Sequence, residues 1–316
     1  MHGRDSGAAP PAGRSAGAGP SAAPSGPAGE ILRVLGRKLR VGGIDYLNSR
    51  PLLEGLKEAL GDGLELVNCV PSELAQRLRA GDLDAALVPV VEYFAGPPEY
   101  RIIPGIAIAS WGAVESIRLV HRRPLGAVER VGLDRSSLTS TVLARLLFAD
   151  LWQAGGPGPV FEGIGPEDGL RALSDPAGTY DAILWIGDRA LEVSVPQGWE
   201  ISDLGTAWTH WTGLPFVFAF WVYRGPPLAG LAGALRRARD LGRSRIDDIV
   251  ARGPLPEGYP PERARRYLSH VIRHDLGPVE IEGLLEFRRR AAARGLIPGG
   301  ALGMELRFLD GSEGAP

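Results

Sequence analysis

PSELAQRLRAGDLDAALVPVVEYF (residues 71–94) sets a helix pattern directly against a strand pattern. Leu74, Ala75 and Leu78 fall on one helical face, Ser72 is the expected N-cap, and Gly81 closes the helix. LDAALVPV (83–90) then runs nearly without polar interruption, as a strand buried on both faces does. Upstream, LRVGGID (39–45) reads as a strand where order begins. YLNSRPLLEGLKEAL (46–60) reads as a helix with Asn48 or Ser49 as N-cap and Leu52, Leu56 and Leu60 inward, and LELVNCV (64–70) as a second strand. Strand, helix, strand, helix, strand implies a mostly parallel α/β sheet with right-handed crossovers.

Downstream the pattern recurs. YRIIPGIAIASWGAVESIRLVHRR (100–123) gives two extended runs around Ser110, Trp111 and Gly112. VERVGLDRSSLTSTVLARLLFADLW (128–152) gives a strand, a polar turn and an amphipathic helix, and YDAILWIGDRALEV (180–193) a strand, a turn and a short helix. GLPFVFAFWVYR (213–224) is a long apolar strand, and three helices are expected over 228–296. Chain crossings near 120–126 and 212–217 divide the sequence into a disordered tail (1–37), a discontinuous first lobe (38–120 and 217–316) and a second lobe (121–216). Two such lobes leave a cleft walled by strand ends and helix starts.

Composition narrows the function classes. With 316 residues, 44% apolar, the chain can bury one large or two moderate cores. A formal net charge of −2 argues against a nucleic-acid partner. Residues 1–30 hold no Val, Ile, Leu or aromatic side chain and no secretory apolar run. No stretch is long and apolar enough to span a membrane, so a soluble, cytoplasmic protein is expected. The lone Cys69 reads as a small buried hydrophobe in its strand. His270 and His274 stand one helical turn apart without the glutamate of a zinc-protease motif, and read as a solvent-facing pair. No metal is expected, and nucleotide-binding glycine motifs and GxSxG are absent, so no cofactor is implied.

VGLDRSSLTS (131–140) carries the strongest site signal. Ser136, Ser137, Thr139 and Ser140 sit where a strand stops and a helix starts, so hydroxyls and unpaired amides suit a carboxylate or phosphate. Ordinary capping is the alternative. Asn48 and Ser49 occupy the same kind of turn in the first lobe, where Asn offers both donor and acceptor. Ser110, Gly112 and Ser116 form SxGxxxS, either a ligand approach or a plain turn. Asp188 either faces the cleft or caps its helix and pairs with Arg189. Tyr46, Trp208 and Trp211 either wall a ring-shaped ligand or belong to the core.

RVGGIDYLNSRPL, PSELAQRLRAGDLDAALVPVVEY, IIPGIAIASWGAVESIRL, VGLDRSSLTS, DAILWIGDRAL, DLGTAW and TGLPFVFAFWVYR, in this order over about 39–225, resemble the chorismate dehydratase family of the futalosine route to menaquinone. YLSHVIRHDLGPVEIEGLLEF resembles that family's C-terminal helices, while Arg135 and His210 depart from its pattern. The resemblance implies a two-lobed fold similar to type 2 periplasmic binding proteins, and loss of water from the dianion chorismate to give 3-[(1-carboxyvinyl)oxy]benzoate. It places substrate near Asn48, Ser110 and Ser116, the 136–140 turn and Asp188, with Asn48 in the catalytic role. The base is left open between the substrate's own enolpyruvyl carboxylate, His121 and Asp45. Two other readings stand: 1,4-dihydroxy-6-naphthoate synthase, which would bring a histidine such as His121 or His210 into the cleft, and a non-catalytic small-anion binding protein.

Overall fold

The structure is a computed structural model that describes residues 26–175 and 178–309. Ten strands form two five-stranded sheets. In chain order they are β1 (Leu39–Gly43), β2 (Leu64–Asn68), β3 (Ala85–Pro89), β4 (Tyr100–Ser110), β5 (Ile117–His121), β6 (Arg130–Asp134), β7 (Val160–Ile164), β8 (Ala182–Ile186), β9 (Glu200–Asp203) and β10 (Phe216–Arg224). The first sheet runs β2-β1-β3-β10-β4 and the second β7-β6-β8-β5-β9. Both share one plan: two parallel βαβ steps place three strands, and an antiparallel strand is slotted between the third and the edge. This is the two-lobed arrangement expected from the sequence.

The physics of each strand is plain from its surroundings. All five residues of β3 and of β8 are buried, as central strands covered on both faces require. Trp221, Phe220 and Tyr223 of β10 fill the first core, while β2, at an edge, carries no fully buried residue. No helix among the described residues is long and apolar enough to cross a membrane.

Several expectations need correction. The first crossing lies at 111–116, not 120–126, because β5 pairs antiparallel with β8 and β9 in the second sheet. Pro27–Leu35 is a helix within the expected tail; Ile31 is buried against the first core, and that contact orders it. The rest of the expected tail, residues 1–25, lies outside the described residues. Ser72 is not the cap of its helix: Pro71 takes the first helical position after Val70, since its ring presets φ and it has no N–H to satisfy. Gly81 does end that helix, at φ +84°. The C-terminal region holds four α-helices rather than three, at Leu231–Ser244, Ile246–Arg252, Pro261–Arg266 and Pro278–Ala293, with a π turn at Tyr267–Val271 after the third. Cys69 lies just past β2 and is half-buried, its sulfur accepting from Arg77 at 3.2 Å while burial raises the thiol. His274 is 3% exposed, so the solvent-facing pair does not exist.

Candidate active site

A cavity lies where the C-terminal ends of both sheets meet. The first sheet contributes Ile44 after β1, Pro89 at the end of β3, and Asn48. The second contributes Ser137, Leu138, Thr139 and Ser140, and Gly187 after β8. Aliphatic and aromatic side chains fill the remaining wall, and no charged side chain lines it among the described residues.

The hydroxyl cluster is built by the chain reversal after β6. Asp134 Oδ1 accepts from Ser136 N–H at 2.8 Å and from Ser136 Oγ at 2.6 Å, which tightens the turn; Ser136 is not part of the cavity lining. The helix Thr139–Leu147 then starts with no side-chain cap, leaving its first amides without intrahelical partners. Those amides, with the Ser137, Thr139 and Ser140 hydroxyls, present partial positive charge to the cavity. A carboxylate is the complementary ligand chemistry.

Asn48 stands on the short turn Leu47–Ser49. Its Oδ1 is buried without a hydrogen-bond partner. Its main chain is held from two sides: Leu47 N–H donates to Asp188 Oδ1 at 2.8 Å, and His274 Nε2–H donates to Asn48 O at 2.8 Å. Burial pushes the His274 imidazole down to about 4, so the ring is neutral, and the carbonyl partner requires the proton on Nε2. Ser49 is fully buried and spends its hydroxyl on Tyr46 O at 2.8 Å and on Ile44 O.

Other sequence-selected residues sit behind the cavity wall. Ser110 Oγ donates to Gly112 O at 3.2 Å, and Gly112 N–H donates to Thr209 Oγ1 at 2.9 Å with φ +92°, so this pair shapes the crossing between sheets. Ser116 is 1% exposed, with a long bond to Val114 O and its hydroxyl acting on the Tyr267 phenol. Trp208 is core, its Nε1–H given to Pro215 O, and Trp211 lies under Arg290. Tyr46 does line the cavity, its ring against Gly187 across the sheets. His121 has both ring nitrogens engaged, Nδ1–H to Arg123 O at 2.8 Å and Nε2 from Ser202 at 2.9 Å. His210 is exposed, and the Asp45 side chain is 72% exposed beside Arg50. The spacing that singled out His274 paired it with His270 in solvent, whereas its contact is with Asn48, 226 residues away in sequence.

Asp188 bridges the two sheets, and burial raises its carboxyl to about 6, against the pull of the Leu47 amide and Arg50. A raised carboxyl destabilises the fold when ionised. That cost is absent where the group is neutral in both states, grows as pH rises from about 4 to 6, and is complete above 6. Asp188→Asn keeps an acceptor for Leu47 and removes the charge. It is expected to raise the unfolding free energy at pH 7–8 by at most about 3 kcal/mol, with the gain vanishing near pH 4. Thermal unfolding of both proteins across that range checks it.

The described residues hold no group of three or more His, Cys, Asp or Glu placed for a metal ion. The family described as menaquinone biosynthesis matches residues 39–293. The chain is 33% identical over 247 residues to the chorismate dehydratase of Thermus thermophilus, covering 72% of this chain and 86% of that one. Among solved structures, it is similar to a protein of Archaeoglobus fulgidus (TM-score 0.64, 17% identity, 82% of this chain and 98% of that one). It is also similar to the periplasmic aliphatic sulphonate binding protein of Escherichia coli (TM-score 0.58, 16% identity, 83% and 89%). A Candida albicans protein described as having the generic periplasmic binding protein fold matches at TM-score 0.54, 13% identity, over 84% and 94%. The structural likenesses establish the fold, and the sequence matches establish that the chain belongs to the menaquinone-biosynthesis family that the chorismate dehydratases represent.

Proposed function

We propose that the protein is a chorismate dehydratase, removing water from chorismate to give 3-[(1-carboxyvinyl)oxy]benzoate. The observation that carries this is the pairing, in one cavity, of Asn48 with its amide oxygen unpaired and the hydroxyl-rich start of the Thr139 helix. A one-third-identical chorismate dehydratase supports the choice of substrate.

In the reaction the ring C–H beside the enolpyruvyl ether loses its proton. Its electron pair becomes the last ring π bond as the neighbouring hydroxyl leaves, taking up a proton to depart as water. The developing carbanion is conjugated with the ring carboxylate, so donors on that carboxylate stabilise the transition state. Ser137, Thr139, Ser140 and the helix-start amides are those donors. The cavity wall offers neither imidazole nor carboxylate among the described residues, which favours the substrate's own enolpyruvyl carboxylate as base. Asn48 then fixes the geometry of that transfer, and proximity supplies much of the rate. Ser49, Ser110, Gly112, Ser116, Ser136 and Asp188 act by shaping the wall rather than by touching substrate. The histidine base that the naphthoate synthase reading calls for finds no support in the placement of His121 or His210.

The test is incubation of purified protein with chorismate, following loss of the diene absorbance and appearance of the benzoate product. Product formation supports the reading; tight chorismate binding without product replaces it with a binding protein.

A further inference from the structure

Two buried polar atoms without partners meet behind the cavity. One is Asn48 Oδ1; the other is the hydroxyl of Tyr267, whose side chain is fully buried. Each unmet group costs about 1–3 kcal/mol, so two in one place call for an explanation. The turn Leu47–Ser49 packs directly on the π turn Tyr267–Val271, and such π turns often mark functional positions in helical segments. The Ser116 hydroxyl and the Asn48 amide both act on the phenol in the sense of donors to its oxygen, so it is the N–H end of the amide that faces the phenol before any rotation. Burial keeps that phenol protonated, hence able to donate. Ser116 has a spare hydroxyl, since its bond to Val114 O is stretched to 3.4 Å.

We propose that Tyr267 and His274 are positioning residues for Asn48, His274 fixing its main chain and the Tyr267 hydroxyl donating to Oδ1, which turns both amide N–H bonds toward the cavity. The chemistry of an amide makes this specific. Its oxygen and nitrogen ends are nearly the same shape, so sterics alone do not choose between them. The unpaired atom is the acceptor, and a phenol beside it decides the choice by donating. Ser116 completes the relay by donating to the phenol oxygen, and each bond polarises the next. One rotation of the amide satisfies both orphaned atoms and leaves the cavity facing two donors, which suits a carboxylate. His274 Nε2–H on Asn48 O prevents the whole turn from shifting instead.

The inference rests on the proposed dehydratase reading for its kinetic consequence but not for its spectroscopic one. The chain has two asparagines, Asn48 and Asn68. Asparagine-selective ¹⁵N labelling of the full chain therefore gives two side-chain amide pairs. Tyr267→Phe is expected to shift the Asn48 pair and speed its exchange with solvent while leaving the Asn68 pair in place. It is also expected to lower kcat about 10- to 100-fold with chorismate Kd and thermal midpoint little changed. His274→Gln, which keeps an N–H of similar reach, should retain most activity, whereas His274→Leu should not. An Asn48 pair unmoved by Tyr267→Phe overturns the proposal whether or not chorismate is turned over. So does a wild-type kcat in Tyr267→Phe, or equal loss in the Gln and Leu variants. Absence of benzoate product from the wild type defeats the dehydratase reading alone, because the amide signals still report the contact.

Discussion

Asn48→Ala is expected to cut chorismate turnover about 100- to 1,000-fold, the usual effect of losing one preorganised donor at a reacting centre. Chorismate affinity should fall by about tenfold at most, the worth of a single hydrogen bond. The split follows from where the amide sits. In the proposed reaction the Thr139 helix start, on the opposite wall, supplies several donors to the ring carboxylate, so most of the binding is independent of Asn48. Asn48 stands apart from that cluster on a turn pinned by Asp188 and His274. A group so fixed contributes most where geometry is strictest, in the transition state. Stopped reactions assayed for the benzoate product give kcat, and titration with chorismate gives Kd. Wild-type turnover in the variant would remove Asn48 from the mechanism.

Gly187→Ala should lower kcat/KM about 100-fold. Gly187 holds φ +61°, a conformation that costs a side-chain-bearing residue about 1–3 kcal/mol. An added Cβ would lie 2.7 Å from the Tyr46 ring. Both residues line the cavity; Tyr46 lies on the connection after β1 of the first sheet, and Gly187 follows the central strand of the second. The methyl therefore pushes the two walls apart at their closest approach. A misplacement of about 1 Å between substrate and catalytic group is enough to cost two orders of magnitude. Here KM should rise along with the fall in kcat, unlike in Asn48→Ala. Steady-state kinetics of the two variants, measured side by side, separate wall spacing from amide chemistry.

The strands were legible because each is a short run of apolar residues between turn signals, and burial enforces that pattern. Sheet membership was not legible. IRLVH of β5 reads as a strand, but nothing within it says which sheet accepts it; only its pairing with β8 and β9 does. The hydroxyl cluster at 136–140 was visible because its residues are adjacent, yet Ser136 and Ser137 differ in role for a reason no spacing shows: Asp134 claims the first. Ser49 and Ser110 were read as substrate contacts, and in the fold nearby carbonyls take their hydroxyls. The roles of Tyr267 and His274 were missed because these residues meet Asn48 only after the chain has returned from the second sheet. Residues joined by such distant contacts carry no local signature.

The strand order has a consequence for synthesis on the ribosome. All five strands of the second sheet lie within 117–203, so that sheet is complete as soon as its stretch has emerged. The first sheet is begun earlier but finished later: the strand beside β4 is β10, made roughly a hundred residues afterwards. During that interval β3 and the eleven-residue β4 both wait with an unpaired edge. Open apolar edges of this kind recruit other chains. The half of the molecule that carries Asn48 is thus the half most exposed to misassembly in the nascent chain: Phe216–Arg224 covers one edge of β4, and the other edge waits for Arg273 and for residues 307–309.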